Sequence, residues 1–244
     1  MNIELRGVSK RFGGTRALDR VSCELAAGQI VAVVGANGAG KTTLLRCLAG
    51  VAAPDDGLIL YDDQPFSRAR MDLRRRLLFL PDFPFVFWEQ TPVEHLGLVL
   101  RLYGVERAGR EEAAVELLRD FDLLPLARKP LGTLSRGQLY KAALATLMAV
   151  DPELWLLDEP FASGMDPHGI DAFKRRARAA AVQGRTVLFS TQLLDIAERF
   201  ADRVCIVHRG ELRACETVAA LQSRNGGDGG ALEQIFRELR AERS

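Results

Sequence analysis

The chain has 244 residues, of which 48% are hydrophobic and 27% charged, and its formal net charge is +1. These are ordinary values for a soluble globular protein, and the length suits one large domain or two small lobes. The near-neutral charge disfavours nucleic acid as a partner, and no stretch reaches the roughly 18 apolar residues that a membrane span needs.

The first third of the chain predicts strands and one helix. Residues 1–34 predict short strands separated by glycine-containing turns. The last of these strands is the apolar run at 30–34, which is long enough to be buried. A helix is expected from about residue 41, and further short apolar strands are expected at 58–61 and 77–80.

The middle of the chain has a different pattern. Thr91 begins a capping box with proline at the first helical position, so a helix is expected from there to about residue 103. Two more helices are predicted at 111–120 and 135–150. We therefore expect an all-helical subdomain of about residues 85–150, inserted in an α/β core.

The α/β pattern then resumes, and helices separate three apolar strands at 154–157, 186–190 and 203–208. Strands that alternate with helices predict a mostly parallel sheet covered on both faces. A glycine-rich hinge is predicted at 225–230 and an amphipathic helix at 231–240. The expected organisation is one domain over residues 1–224, followed by the hinge and helix over 225–244.

The cysteines are far apart in the sequence, at Cys23, Cys47, Cys205 and Cys215. They form no C-x-x-C pair and no metal-ligand spacing, and the N-terminus has no apolar leader segment. Scattered cysteines in such a chain predict reduced thiols and a cytosolic location.

The most informative motif is the octet Gly-Ala-Asn-Gly-Ala-Gly-Lys-Thr at residues 35–42. It matches the phosphate-binding loop G-x-x-x-x-G-K-[ST] and lies between a predicted strand and a predicted helix, as that loop requires. Small residues let backbone N–H groups wrap around phosphate oxygens, and the helix N-terminus adds partial positive charge. Lys41 can reach the terminal phosphates, and the Thr42 hydroxyl can ligate Mg²⁺. A plain glycine-rich turn, the alternative, needs neither side chain.

A second motif is the apolar strand at 154–157 that ends in Asp158 and Glu159. Asp158 can hold Mg²⁺ through its water shell, opposite Thr42. Glu159 is placed to polarise a water for attack on a γ-phosphate. The alternative is a surface Asp-Glu pair before the turn at Pro160.

A third motif is Leu-Ser-Arg-Gly-Gln at residues 134–138, ahead of the acidic strand. Ser-x-x-Gln is also a helix capping box, and both interpretations can hold. A capped helix N-terminus beside a glycine is a surface that can face an anion.

The order and spacing of these motifs resemble the nucleotide-binding subunit of ABC transporters over nearly the whole chain. By this resemblance, residues 35–42 are the Walker A motif, 154–159 the Walker B motif with its catalytic Glu, and 163–166 the D-loop. Residues 134–138 resemble the family signature, usually Leu-Ser-Gly-Gly-Gln, with Arg136 in place of the first glycine. The implied fold is a P-loop NTPase core with an N-terminal antiparallel β part and an inserted helical subdomain.

The resemblance also implies site residues. The catalytic residues are Lys41, Glu159 and Gln192, and the Mg²⁺ ligands are Thr42, Asp82 and Asp158. Phe12 stands where an aromatic ring usually stacks on adenine, although core packing is an alternative. The implied ATP-binding residues are Phe12, Gly35, Ala36, Asn37, Gly38, Ala39, Gly40, Lys41, Thr42, Thr43, Ser135, Gly137 and Gln138.

The family pattern further implies partners. Two such subunits, identical or different, meet head to tail, so that each ATP lies between the Walker A motif of one and the signature of the other. A separate integral membrane permease would hold the subunit on the inner face of the cell membrane. The segment 80–84, the Leu-Tyr-Gly ending at Gly104 and the Leu-Glu-Gln-Ile-Phe tail resemble the ABC-2-type exporter branch. The alternatives are a non-transport ABC ATPase and a slow regulatory nucleotide sensor.

Two positions depart from the family pattern. Asp82 stands where the family commonly has Gln, although an acid can still bind the water of Mg²⁺. Gln192 replaces a His that contacts the γ-phosphate, and Gln has neither the positive charge nor the proton relay of His. We therefore expect slow hydrolysis, or dependence on a partner with a complete site. The aromatic cluster Phe83, Phe85, Phe87 and Trp88 is interpreted either as a docking surface for the permease or as packing between lobes.

Overall fold

The computed structural model describes residues 1–105, 110–224 and 230–241. Its strands are, in chain order, β1 (Ile3–Phe12), β2 (Thr15–Leu25), β3 (Ile30–Val34), β4 (Asp56–Tyr61), β5 (Gln64–Pro65), β6 (Leu77–Leu80), β7 (Leu154–Leu157), β8 (Thr186–Thr191), β9 (Arg203–His208) and β10 (Glu211–Thr217). Its helices are α1 (Lys41–Leu48), α2 (Met71–Arg74), α3 (Pro92–Leu102), α4 (Arg110–Asp120), α5 (Arg136–Val150), α6 (Pro167–Val182), α7 (Leu194–Phe200), α8 (Val218–Arg224) and α9 (Ala231–Ala241).

Two sheets form the framework. The first is antiparallel, with the strand order β2-β1-β4-β5. The second has the order β10-β9-β3-β8-β7-β6, and all of its pairings are parallel except that of β10 with β9. The predicted α/β core with an N-terminal antiparallel part is confirmed.

The strand β3 lies inside the second sheet and is buried along its whole length. Ile30, Ala32 and Val34 belong to a hydrophobic cluster that includes side chains of α5 and α6. Val31 and Val33 belong to a second cluster, with side chains of α1 and of the antiparallel sheet. Successive side chains of a strand point to opposite faces, so a strand covered on both faces is apolar at every position. The chain therefore leaves a buried part of the sheet where the glycine-rich loop begins.

The stretch between β6 and β7 contains α3, α4 and α5 and, among its described residues, no strand. The helix α5 is buried along most of its length and packs against both α3 and α4. Capping boxes are formed at Thr91 and Ser135, as their sequences predict. The three helices lie where they are predicted. That residues 85–150 form a separate helical subdomain stays a prediction. Within the described ranges, no helix has both the length and the apolar character needed to cross a bilayer.

The C-terminal part contains two elements that the sequence pattern does not indicate, β10 and α8. β10 is an edge strand with charged residues and partial exposure, so it lacks the apolar run of the buried strands. The helix α9 agrees with the predicted terminal helix. Glu198 of α7 holds its start by accepting hydrogen bonds from the N–H groups of Gly230 (3.1 Å) and Leu232 (2.7 Å). Of the predicted hinge, residues 225–229 lie outside the described residues.

Candidate nucleotide-binding site

The glycine-rich loop connects β3 to α1, and two of its glycines are required by close packing. A Cβ on Gly35 would lie 2.4 Å from the carbonyl oxygen of Val207. A Cβ on Gly40 would lie 2.5 Å from the carbonyl oxygen of Ala17, and Gly40 also has a φ of +113°. Both distances are shorter than any real Cβ contact, and the φ favours glycine. The loop therefore keeps its shape only with glycine at these two positions.

The turn between β9 and β10 holds the glycine-rich loop in place through backbone hydrogen bonds. The N–H of Gly210 donates to the carbonyl of Ala39 over 2.8 Å, and the carbonyl of Gly210 accepts from the N–H of Asp19 over 2.8 Å. Gly210 thus joins the glycine-rich loop to β2 and to the β9–β10 end of the second sheet. The loop is held by backbone hydrogen bonds, which leaves its side chains free for other contacts.

Lys41 is buried, with 6% of its surface exposed, at the first position of α1. Its Nζ donates to the carbonyls of Gly35 (2.9 Å) and Ala36 (3.3 Å), and it lies 3.2 Å from Oε1 of Glu159. A buried ammonium needs such partners because desolvation without them is costly. The positive charge of Lys41 is therefore fixed beside the first residues of the glycine-rich loop.

Asp158 is buried directly after β7, and its Oδ1 accepts two hydrogen bonds. One comes from the Thr42 hydroxyl over 3.0 Å, and the other from the Ser190 hydroxyl over 2.6 Å. The Ser190 oxygen in turn accepts from the N–H of Glu159 over 2.9 Å. Parallel pairing of Leu157 with Phe189 places these residues side by side. The two predicted motifs thus meet at one edge of the sheet, where they bring together Lys41, Thr42, Asp158 and Glu159.

Ser190 is a site residue that the sequence analysis missed. It fixes both acids, since it donates to Asp158 and accepts from the backbone of Glu159. The available signal was a polar residue at the end of an otherwise apolar strand in Thr-Val-Leu-Phe-Ser-Thr. That signal carries meaning only once the strand is known to lie beside β7.

A cavity of about 970 Å³ opens at this edge. Lys41, Thr42, Asp158 and Glu159 line it, as do Asn37 to Thr43 of the loop and first turn. Phe12 lines the same cavity and has 52% of its surface exposed, so it does not pack in the core. The ammonium of Lys10 lies 5.4 Å from the centre of its ring. An exposed aromatic ring at the rim of a phosphate-loop cavity can stack on a base.

Asp82 also lines the cavity, and it forms an ion pair with Arg136 of α5, whose Nη2 lies 2.5 Å from its Oδ1. Asp82 and Arg136, which both depart from the family pattern, are therefore in contact. Both side chains are about half exposed. Asp82 is thus placed at the cavity rim, with its charge compensated from the helical stretch.

The signature residues have structural roles at the start of α5. The Ser135 Oγ accepts from the N–H of Gln138 (3.3 Å), and the Gln138 Oε1 accepts from the N–H of Ser135 (3.0 Å). A Cβ on Gly137 would lie 2.1 Å from the carbonyl oxygen of Gly164, so the D-loop packs directly on this turn. Among the described residues, Ser135, Gly137 and Gln138 are not part of the cavity lining.

A second contact joins the signature helix to the D-loop. Lys141 is buried, and its Nζ lies 2.8 Å from Oδ2 of Asp166, which caps α6 by accepting from the N–H of Gly169 over 2.7 Å. The hydrogen bond from Lys141 lowers the pKa of the Asp166 carboxyl, and the N–H of Gly169 lowers it further. The turn at 163–166 is therefore tied to α5 through both packing and charge.

The remaining two predicted features lie on the surface. Gln192 follows β8, is exposed, and is not part of the cavity lining among the described residues. The aromatic cluster is also exposed: Phe83, Phe87 and Trp88 have about half of their surface open and Phe85 has 89%. Packing between lobes would cover these rings, so that alternative is wrong for the described chain.

Comparison with known proteins identifies the family. The family model described as ABC transporter matches residues 18–162, more than half of the chain. The chain belongs to the ABC transporter family. The matched region of this ABC transporter subunit contains the glycine loop, the signature and the acidic strand end.

Individual relatives narrow this result. The ABC transporter subunit is similar to the ABC-type transporter ATP-binding protein EcsA of Bacillus subtilis (strain 168), with 33% identity over 92% of this chain and 91% of the relative. It is similar to the daunorubicin/doxorubicin resistance ATP-binding protein DrrA of Streptomyces peucetius, with 34% identity over 93% of this chain and 68% of the relative. A solved structure described as the ATP binding subunit of an ABC transporter matches with a TM-score of 0.91 and 30% identity, covering 98% of this chain and 100% of that one. The predicted ATP-binding ATPase subunit is confirmed, and the two alternative functions are not favoured.

Proposed function

We propose that this chain binds and hydrolyses ATP to power a separate membrane permease, and that the direction of transport is export. The observation that carries the proposal is the meeting of Lys41, Thr42, Asp158 and Glu159 around the mouth of one glycine loop. Phosphoryl transfer to water requires a positive charge at the phosphates, a hydroxyl–carboxylate pair that can hold the metal ion, and a second acid that orients the water.

The donor set fits Mg²⁺ bound with ATP. The Thr42 hydroxyl and the Asp158 carboxylate are 3.0 Å apart and are hard oxygen donors, which Mg²⁺ prefers. These two residues would hold the ion, Asp158 through water, with Asp82 at the rim as a further carboxylate. When bound, the ion neutralises charge on the phosphate oxygens. The backbone N–H groups of residues 35–42 and Lys41 would bind the phosphates themselves.

Glu159 is suited to orient the attacking water. Its Oε1 is engaged by Lys41, whereas its Oε2 is buried and has no hydrogen-bond partner among the described residues. A buried acceptor without a partner is costly, and a water that donates to it would relieve this cost. The same oxygen can then accept the proton as the water attacks the terminal phosphate. The N–H of Glu159, held by Ser190, keeps the carboxylate at this position.

A second cassette, identical or related, would complete the site. Ser135, Gly137 and Gln138 are not part of the described cavity lining, although they form the N-terminal turn of α5, where the partial positive charge of the helix suits an anion. Head-to-tail pairing would bring this turn of one subunit to the γ-phosphate of ATP bound on the other. Phe12 would stack on the adenine from the subunit that holds the phosphates.

The exposed aromatic cluster would receive the permease. Four large rings beside Asp82 form an apolar patch next to the nucleotide cavity, where a partner could sense its occupancy. The permease would hold the chain on the cytoplasmic, inner face of the cell membrane. The names of two relatives support the direction of transport. One is the resistance protein DrrA, and the other is the Nod factor export ATP-binding protein I of Sinorhizobium fredii (strain NBRC 101917 / NGR234), with 35% identity over 85% of this chain and 60% of the relative.

The test separates binding from turnover. In Glu159→Gln, calorimetry should find Mg²⁺-ATP bound about as tightly as in the parent, while steady-state ATPase falls by at least about 100-fold, the contribution of a general base. The control Glu233→Gln changes an exposed acid on α9 and should keep the parent rate. Absence of Mg²⁺-ATP binding by the parent, or full turnover by Glu159→Gln, would refute the proposal.

A further inference from the structure

Three of the four cysteines come together in the fold, although their sequence spacing gives no sign of it. Cys23 lies on β2, and Cys205 and Cys215 are directly opposite each other on β9 and β10. The three sulfur atoms all lie within 4.8 Å of one another. All three are free thiols. The three cysteines therefore join the antiparallel sheet to the β10 edge of the second sheet.

We propose that Cys23, Cys205 and Cys215 form a binding site for one soft, thiophilic metal ion, and that Cu(I) is the ion it suits best. Thiolate sulfur selects soft ions such as Cu(I) over the hard ions that ATP binds. Zn²⁺ normally takes four ligands. Among the described residues, no histidine or carboxylate joins the three sulfurs, and Cu(I) accepts three sulfur ligands without a fourth.

The distances allow this coordination after a small adjustment. Metal–sulfur bonds of about 2.3 Å place three sulfurs around one ion roughly 4 Å apart. The Sγ atoms of Cys205 and Cys215 are 2.9 Å apart, so they must separate by roughly 1 Å. Cys215 lies on an edge strand and is only half-buried, which makes this movement inexpensive.

The charge around the cluster also suits a thiolate-bound cation. The guanidinium of Arg203 donates to the carbonyl of Cys215 over 3.1 Å, and its Nε is buried with no hydrogen-bond partner in the described part of the chain. A complex of three thiolates with Cu(I) would carry a net charge of −2, and the positive charge of Arg203 would partly offset it.

An approach route for a cation lies next to the cluster. Arg203 also lines a surface depression of about 460 Å³. Four acidic residues line the same depression: Glu4, Glu24, Asp62 and Asp63. Clustered carboxylates raise the local concentration of cations. Arg203 connects the two features, because it lines the depression and also donates to the carbonyl of Cys215.

The experiment uses the full-length protein, purified anaerobically under reducing conditions and titrated with Cu(I) in competition with bicinchoninate. The parent should bind one Cu(I) per chain, and X-ray absorption should show three sulfur neighbours at about 2.3 Å. Cys23→Ser and Cys215→Ser should each lose more than about 100-fold in Cu(I) affinity, since even outer partners of a metal site contribute 10- to 100-fold. Bound Cu(I) should raise the Tm of the parent and not that of Cys23→Ser, because the ion joins two sheets.

The matched control is Cys47→Ala, which removes the one cysteine outside the cluster and should keep the parent affinity. Metal-free thermal unfolding shows whether each serine variant is folded, and Cys23 and Cys215 are partly exposed positions where serine fits. The proposal is overturned if the parent binds no Cu(I), if Cys23→Ser binds it as tightly as the parent, or if Zn²⁺ displaces it. A thiol count that finds Cys205 and Cys215 already oxidised in the anaerobic protein would identify a disulfide and also overturn it.

Discussion

Arg136 and Asp82 form an ion pair over 2.5 Å, although 54 positions separate them in the chain. Asp82 follows β6 at the rim of the nucleotide cavity, and Arg136 is the first residue of the signature helix. Half-exposed pairs contribute little stability, about 0–1 kcal/mol, because water screens them. The pair therefore matters for position: it directs the carboxylate at the cavity rim towards the helical stretch.

The first prediction concerns this pair. Arg136→Gln should change the free energy of unfolding by less than about 1 kcal/mol. It should lower the Mg²⁺ concentration that half-saturates ATPase activity, by up to about fivefold, because it removes a positive charge beside the cavity and frees the Asp82 carboxylate. Arg136→Lys keeps the charge and should behave as the parent. Equal shifts in both variants would show that the charge of the pair is irrelevant to Mg²⁺.

The second prediction concerns the shape of the glycine loop. Gly35→Ala places a Cβ 2.4 Å from the Val207 carbonyl, so it should destabilise the fold by about 1–3 kcal/mol and abolish ATP binding. Gly14→Ala is the control, since open space surrounds that position and its φ is not positive. Urea denaturation and calorimetry measure the two effects. A stable Gly35→Ala that still binds ATP would contradict this account of the loop.

The third prediction concerns Gln192. A His at this position can carry a positive charge and relay a proton, whereas Gln can only donate or accept a hydrogen bond. Gln192→His should therefore raise steady-state ATPase of the chain by about tenfold, which is less than the roughly 100-fold effect of a whole positioned donor because Gln can already donate a hydrogen bond. Gln192→Asn controls for simple replacement and should not be faster than the parent. If the His variant has the parent rate, the departure from the family pattern is harmless.

The fourth prediction is a pH dependence of stability. Lys141 holds the pKa of Asp166 below its ordinary value, so the pair stabilises the fold fully above about pH 4 and loses this contribution as the pH falls through the lowered pKa. Asp166→Asn keeps the helix cap but removes the charge, and at pH 7 it should cost about 1 kcal/mol, since the carboxylate is half exposed. The free energies of unfolding of parent and variant should converge as the pH falls below the lowered pKa of Asp166. Asp171→Asn, an exposed change on the same helix, should show no such convergence.

The fifth prediction tests the aromatic cluster. Trp88→Ala removes a ring with 50% of its surface exposed, so the isolated chain should keep its Mg²⁺-ATP affinity. Co-purification with the membrane permease should weaken at least about fivefold, because a truncated aromatic anchor typically costs more than 1 kcal/mol of binding energy. Val182→Ala, at an exposed apolar position on α6, should leave co-purification unchanged. Unaltered co-purification of Trp88→Ala would exclude this surface as the docking site.

Local patterns were sufficient to predict much of the fold and the centre of the site. The strands β6, β7 and β9 have the predicted limits, because buried strands are short runs of apolar residues bounded by polar ones. Lys41 and Asp158 were predicted to cooperate because each belongs to a motif with its own sequence requirement. The sequence pattern therefore predicts those strands and site residues that a few consecutive residues determine.

The rest depends on which distant segments become neighbours. Ser190 acquires its role only because β8 lies parallel to β7. Arg136 and Asp82 have opposite charges, but many pairs in the sequence do, and only the packing of α5 beside the end of β6 selects this one. Cys23 meets Cys205 across two sheets. Such contacts have no local sequence signal, so a structure is needed to find them.

The position of β3 between two late strands has a consequence for synthesis of the chain. β3 ends at residue 34, but its neighbours β8 and β9 end at residues 191 and 208, and the hairpin residue that braces the loop is Gly210. Chains emerge from the ribosome N-terminus first. A nascent chain that stops before residue 186 therefore exposes both edges of β3. Such a truncated chain also lacks the Gly210 contacts that brace the glycine-rich loop, even though its Walker motifs are complete.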